Sequence, residues 1–121
     1  MGVRIKRAYD VPAEEDGLRI LVDRIWPRGI SMDRARIHLW MKEVAPSNDL
    51  RKWFGHDPSR WNEFRNRYFL ELDASSNCSV TNLVRLIESE KTVTLLYGTK
   101  DRERNNAAAL EAYLKSRISS P

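Results

Sequence analysis

Leu18-Arg-Ile-Leu-Val-Asp-Arg-Ile-Trp-Pro-Arg-Gly29 is the stretch on which the fold turns. No polar residue interrupts Ile20-Leu21-Val22, which suits a strand buried on both faces and so central in a sheet. The strand is expected over 18–26, and Trp26-Pro27-Arg28-Gly29 stops it.

Upstream, residues 3–9 alternate apolar and polar like a half-buried strand, and residues 10–17 read as a loop punctuated by Pro12 and Gly17. Downstream, Ser31 can cap a short helix at 32–36. Residues 37–44 lean to a strand, and Pro46-Ser47 opens a short helix over 47–54. Asp57 as cap and Pro58 at the first helical position start the next helix. Its Trp61, Phe64, Tyr68 and Leu72 recur at helical spacing and face a core, with Arg60, Glu63, Arg67 and Glu71 on the other side. A helix follows over 79–89, with Leu83, Leu86 and Ile87 inward. Lys91-Thr-Val-Thr-Leu-Leu-Tyr97 is rich in β-branched residues and reads as a strand. The last helix spans 106–118. Strands separated by helices predict an α/β domain, a small, mostly parallel sheet with helices on both faces. The 121 residues amount to a single α/β domain over 1–121.

Composition bounds the chemistry. Lys and Arg number 21 against 17 Asp and Glu, a formal net charge of +4, which suits an anionic partner without demanding one. The one cysteine, Cys78, forms no internal disulfide, which fits a reducing, cytoplasmic setting. No apolar run approaches the roughly 18–20 residues that cross a bilayer, and no signal-peptide core is present, so no membrane partner is expected. A glycine-rich phosphate loop, a dinucleotide fingerprint, a nucleophile elbow and zinc spacing are all missing, so no cofactor or metal is expected.

Open α/β sheets bind ligands beyond the carboxyl ends of their strands. Three polar clusters qualify. Asp23, Arg24 and Arg28 follow the second strand, and an arginine fork grips a carboxylate or a phosphate. Read functionally, the arginines clamp an anion and Asp23 is an orienting carboxylate or a base. Read structurally, they are an internal ion pair. Ser47 stands where it caps the next helix, beside Lys42 and Glu43. Tyr97, Lys100, Asp101, Asn105 and Asn106 follow the last strand, and either asparagine also suits a helix cap. The candidate catalytic residues are thus Asp23, Asp101 and Tyr97. Arg24, Arg28, Ser47, Lys100 and Asn105 are the candidates for substrate binding. His56 sits at a turn beside Asp57, and His38 within 37–44.

Leu21–Gly29, Leu39–Ser47, Leu50–Pro58 and Leu95–Asp101 with Asn105-Asn106 together resemble the YeaO-like branch of the uncharacterised domain-of-unknown-function 488 family, from about residue 3 to residue 115. The resemblance implies a small cytosolic α/β domain of no established activity. Larger relatives carry a valine-aspartate-x-arginine strand end, matched by Val22-Asp23 and less closely by Arg24. They also carry a strand ending in cysteine and a later Cys-His-Arg motif. Those positions resemble Tyr97 and Asn105-Asn106-Ala107, so the thiol and imidazole chemistry is missing here.

Three functions fit these residues: an enzyme or binder acting on an anionic small molecule, phosphate- or nucleotide-like; a nucleic-acid-binding or -processing accessory; and a protein-interaction domain anchored on Trp26 or Trp53. The first requires residues 23–28 and 97–105 to face one hollow. The oligomeric state is not encoded in any motif.

Overall fold

The computed structural model describes residues 2–74 and 78–118. Residues 75–77 of the linker-like piece expected at 73–79, and the linker-like terminal Ser119-Ser120-Pro121, lie outside them. Four parallel strands form one sheet: β1 (Gly2–Arg7), β2 (Leu18–Leu21), β3 (Leu39–Trp40) and β4 (Thr92–Tyr97), in spatial order β1-β4-β2-β3. The α-helices are α1 (Asn48–Phe54), α2 (Trp61–Asp73), α3 (Cys78–Ser89) and α4 (Asn106–Ile118). The α/β class and the parallel sheet are as expected.

β4 and β2 are central, and their side chains divide by parity. Ile20, Val22, Val93, Leu95 and Tyr97 join the main core, with Val44 and the buried residues of all four α-helices. The opposite parity, Leu21 and Leu96, meets Ala8, Ala35 and Ile37 in a smaller cluster. The layering is therefore one-sided in its helices. The second face is closed by the 31–37 segment, where turns replace the helix expected at 32–36. Ser31 does accept the Arg34 N–H, at 3.3 Å, but Arg36 adopts φ +52° and ends the coil after one turn.

Two further boundaries shift for physical reasons. β2 stops at Leu21, although the Val22 N–H still donates to Leu96 O at 3.1 Å. The 37–44 strand shrinks to Leu39–Trp40, because a 3-10 turn over Lys42–Val44 carries Val44 down into the core. Glu71 also departs from its expected solvent side. Its carboxylate accepts the Ser47 N–H at 2.8 Å and the Ser47 hydroxyl at 2.6 Å.

Beneath the smaller cluster, Asp16 is fully buried. Its carboxylate accepts Arg19 Nη1 at 2.6 Å and Lys6 Nζ at 2.9 Å, and its carbonyl accepts the Thr94 hydroxyl at 2.7 Å. The Arg19 Nε reaches Ala35 O at 2.9 Å. Burial disfavours the charged carboxylate, but Lys6, the Ala13 N–H and Arg19 outweigh it and hold Asp16 below the usual carboxylate range.

Removing one partner of such a buried pair strands the other charge, so Asp16→Asn should cost about 3–5 kcal/mol in urea unfolding at neutral pH. The Asp16 carboxylate titrates lower in the folded chain than in the unfolded one. Its stabilisation is therefore complete above the ordinary carboxylate pKa and fades as pH falls through the lowered folded value. Gly17 has φ +66°, and a Cβ there would lie 2.2 Å from Thr92 O. Gly17→Ala should accordingly destabilise by about 3 kcal/mol, read as a lower urea midpoint.

Candidate functional site

β2 and β4 lie side by side, and their chains leave in opposite directions. The segment after β2 crosses to the smaller cluster through Ala35 and Ile37, whereas β4 runs into α4, which packs in the main core. Neighbouring strands whose continuations part to opposite faces leave a crevice at their carboxyl ends. A hollow of about 790 Å³ opens there. It falls within the roughly 300–1,000 Å³ typical of small-molecule sites.

Asp23, Arg24 and Arg28 line this hollow from the β2 side, and Gly98, Asn105 and Asn106 from the β4 side. The two distant segments thus face one cavity. Residues after α1, Gly55 and His56, close a third side, both with positive φ, at +53° and +58°. Trp26, Pro27, Phe54 and Phe64 supply apolar wall. The charges are lopsided. Arg24, Arg28, Arg51, Lys52 and Arg104 line the space with a single carboxylate, Asp23.

Asp23 bridges the two strand ends. Its Oδ2 accepts the Gly98 N–H at 2.8 Å. A Cβ on residue 98 would sit 3.2 Å from that oxygen and 3.4 Å from Pro27, so a glycine is what lets the backbone come this close. Burial pushes the Asp23 carboxyl up to about 6, against the pull of the Gly98 N–H, the Asn106 amide and the nearby His56. The Asn106 amide also donates to Val22 O at 2.8 Å, pinning α4 to the end of β2.

The other candidates divide. Arg24 reaches the hollow but is partly engaged: its Nε donates to Pro46 O at 2.9 Å and its Nη2 to Ala45 O at 3.3 Å. The anticipated Asp23–Arg24 ion pair is absent among the described residues. Arg28 is exposed, and none of the described hydrogen bonds or ion pairs engages its guanidinium. Asn105 is buried and caps α4, accepting the Ala108 N–H at 2.7 Å.

Tyr97, Ser47, Lys100 and Asp101 do not line the hollow. Tyr97 is buried in the core beside Arg102, and burial raises its hydroxyl above the usual value. Ser47 caps α1 and holds Glu71. Asp101 accepts the Arg104 and Glu103 N–H groups, which lower its pKa. Lys100 is exposed. His38 is structural, its Nδ1 accepting the Arg19 N–H at 2.9 Å. The tryptophans expected as anchors are also occupied. Trp26 packs edge-on to Trp40, and Trp53 lies under Arg60 and Arg67. Arg51, Lys52 and Arg104 were not among the expected site residues. Basic residues in a helix and a polar loop carry no spacing signal that places them on a shared rim.

Among the described residues, no group of three or more His, Cys, Asp or Glu side chains could hold a metal ion, and no helix is long and apolar enough to cross a membrane.

Residues 2–120 match a family described as the inactive DUF488-N3 subclade. The chain is 41% identical over 115 residues to the uncharacterized protein Rv3073c of Mycobacterium tuberculosis, covering 95% of each. It is 37% identical over 116 residues to the uncharacterized protein YeaO of Escherichia coli, covering 96% of this chain and 99% of that one. No solved structure matches. The chain belongs to the YeaO-like part of the domain-of-unknown-function 488 family.

Proposed function

We propose that the hollow between the ends of β2 and β4 binds an anionic small molecule and performs no chemistry on it. The observation that carries this reading is the charge of the lining, five Arg or Lys side chains against one carboxylate. Basic groups converging on a concave, partly apolar surface favour an anion there over one in bulk water. Arg28 and the rim residues Arg51, Lys52 and Arg104 would supply most of the attraction. Arg24, fixed to the 45–46 carbonyls, would add charge at a set position.

Binding rather than turnover is supported by what accompanies Asp23. Asp101 and Tyr97, the other candidate catalytic groups, lie away from the hollow, and the family description carries the word inactive. The concavity favours a small ligand over nucleic acid, because a duplex needs an extended basic face rather than a walled hollow.

A half-buried carboxylate with no ion-pair partner among the described residues carries a cost that its bridge to the Gly98 N–H only partly offsets. Its folded-state pKa of about 6 exceeds the ordinary 3.8. Folding therefore favours the protonated acid, and the penalty grows as pH rises from the lower value to the higher. Two units correspond to about 3 kcal/mol as an upper figure.

Isothermal titration with inorganic pyrophosphate should show saturable binding at low salt. Arg28→Ala should weaken it roughly tenfold without lowering thermal stability, since that side chain is exposed and one charged hydrogen bond contributes about 1.5–3 kcal/mol. Retention of the chain on generic DNA, with no response to pyrophosphate, would favour the nucleic-acid reading instead. Comparison of Asp23→Asn with the native chain tests the cost of the carboxylate. The variant's stability advantage should be small near pH 4 and largest above pH 6, followed by thermal melts across that range. An advantage that does not change with pH would remove this argument.

A further inference from the structure

The hollow has two chemically different parts. Its exposed lining, Arg28, Arg51, Lys52 and Arg104, is basic, whereas buried Pro27 and half-buried Trp26 and Asp23 combine apolar wall with a carboxylate. A phosphate alone would use the rim and be repelled by Asp23. The interior calls for a group with the opposite requirements, planar or apolar in body and N–H-donating at one edge.

Asp23 also has capacity left. A carboxylate offers roughly four acceptor positions. The Gly98 N–H occupies one, at 2.8 Å, and the nearby Asn106 amide also favours the charged form. At least two positions remain, and Asp23 lines the hollow where a ligand would meet them. Two parallel donors on a planar ring match a carboxylate as an arginine fork does.

We propose, resting on the anion-binding reading above, that the ligand is a purine nucleotide whose guanine-type N1–H and 2-amino edge donates to Asp23 while its phosphate meets the Arg28, Arg51 and Lys52 rim. The apolar wall keeps water from competing for the base edge, which strengthens those hydrogen bonds. Adenine presents one donor and one acceptor along the same edge. Its ring nitrogen would face an ionised carboxylate lone pair to lone pair, so it is disfavoured. Protonating Asp23 adds a donor and relaxes that discrimination.

The groups around Asp23 are few. His56 stands across the hollow from the α1 side, Arg24 is its chain neighbour, and Tyr68 approaches from α2. His56 acts on Asp23 through its charge and needs its own control.

The test is calorimetric titration of the full chain with GMP, IMP, AMP and pyrophosphate at pH 8 and pH 5. At pH 8, GMP should bind roughly 10- to 100-fold more tightly than AMP, with IMP between them. The preference should narrow at pH 5, and should narrow equally in His56→Asn, whose side chain tolerates the positive φ. Asp23→Asn, which offers one acceptor and one donor, should abolish or reverse the preference at pH 8. Equal binding of GMP and AMP by the native chain overturns the proposal, as does a guanine preference that survives Asp23→Asn. In either case, saturable pyrophosphate binding leaves the anion reading standing. Failure of all four compounds to bind overturns both. The pH comparison on the native chain stands without any variant's folding.

Discussion

The buried Asp16 holds three strands of the sheet in relation to one another. Its carboxylate reaches β1 through Lys6 and β2 through Arg19, and its backbone carbonyl accepts the Thr94 hydroxyl of β4. Arg19 extends the contact to Ala35, and so to the turns that cover the second face. A parallel sheet has both faces to protect from water. Here helices cover one face, and charged groups with a short coil cover the other. That second solution works because the polar atoms satisfy one another; among the described residues only Arg19 Nη2 is buried without a partner.

Much of the sheet was legible because burial on two faces leaves an unbroken apolar run, as at Ile20-Leu21-Val22, or a run rich in β-branched residues, as at Thr92 to Tyr97. The helical stripes of α2 and α3 were legible for the complementary reason. The second face was not. A single turn ended by a left-handed Arg36 looks, in one dimension, like a capped helix. Residues 37–44 misled because Leu39 and Trp40 are exposed edge residues, whereas Val44 reaches the core only through a turn.

The site was legible in outline and blurred in detail. Strand ends followed by polar residues located the crevice, and Asp23 with Gly98 met there. What the chain could not reveal is allegiance. Asp101, Ser47 and Asn105 are residue types that serve equally as ligand contacts and as helix or turn caps, and here their side chains are committed to backbone N–H groups. The reverse holds for Arg51 and Lys52, unremarkable helix residues that face the hollow only because α1 is oriented by Ser47 and Glu71.

The outer strands carry a different lesson. β3 is two residues long, and β1 carries Arg4, Lys6 and Arg7 along its six. A parallel sheet this small would otherwise offer two open ladders to any extended chain nearby. One border is too brief to template a fifth strand, and the other repels a copy of itself through like charge. Both borders therefore offer little purchase to an added strand.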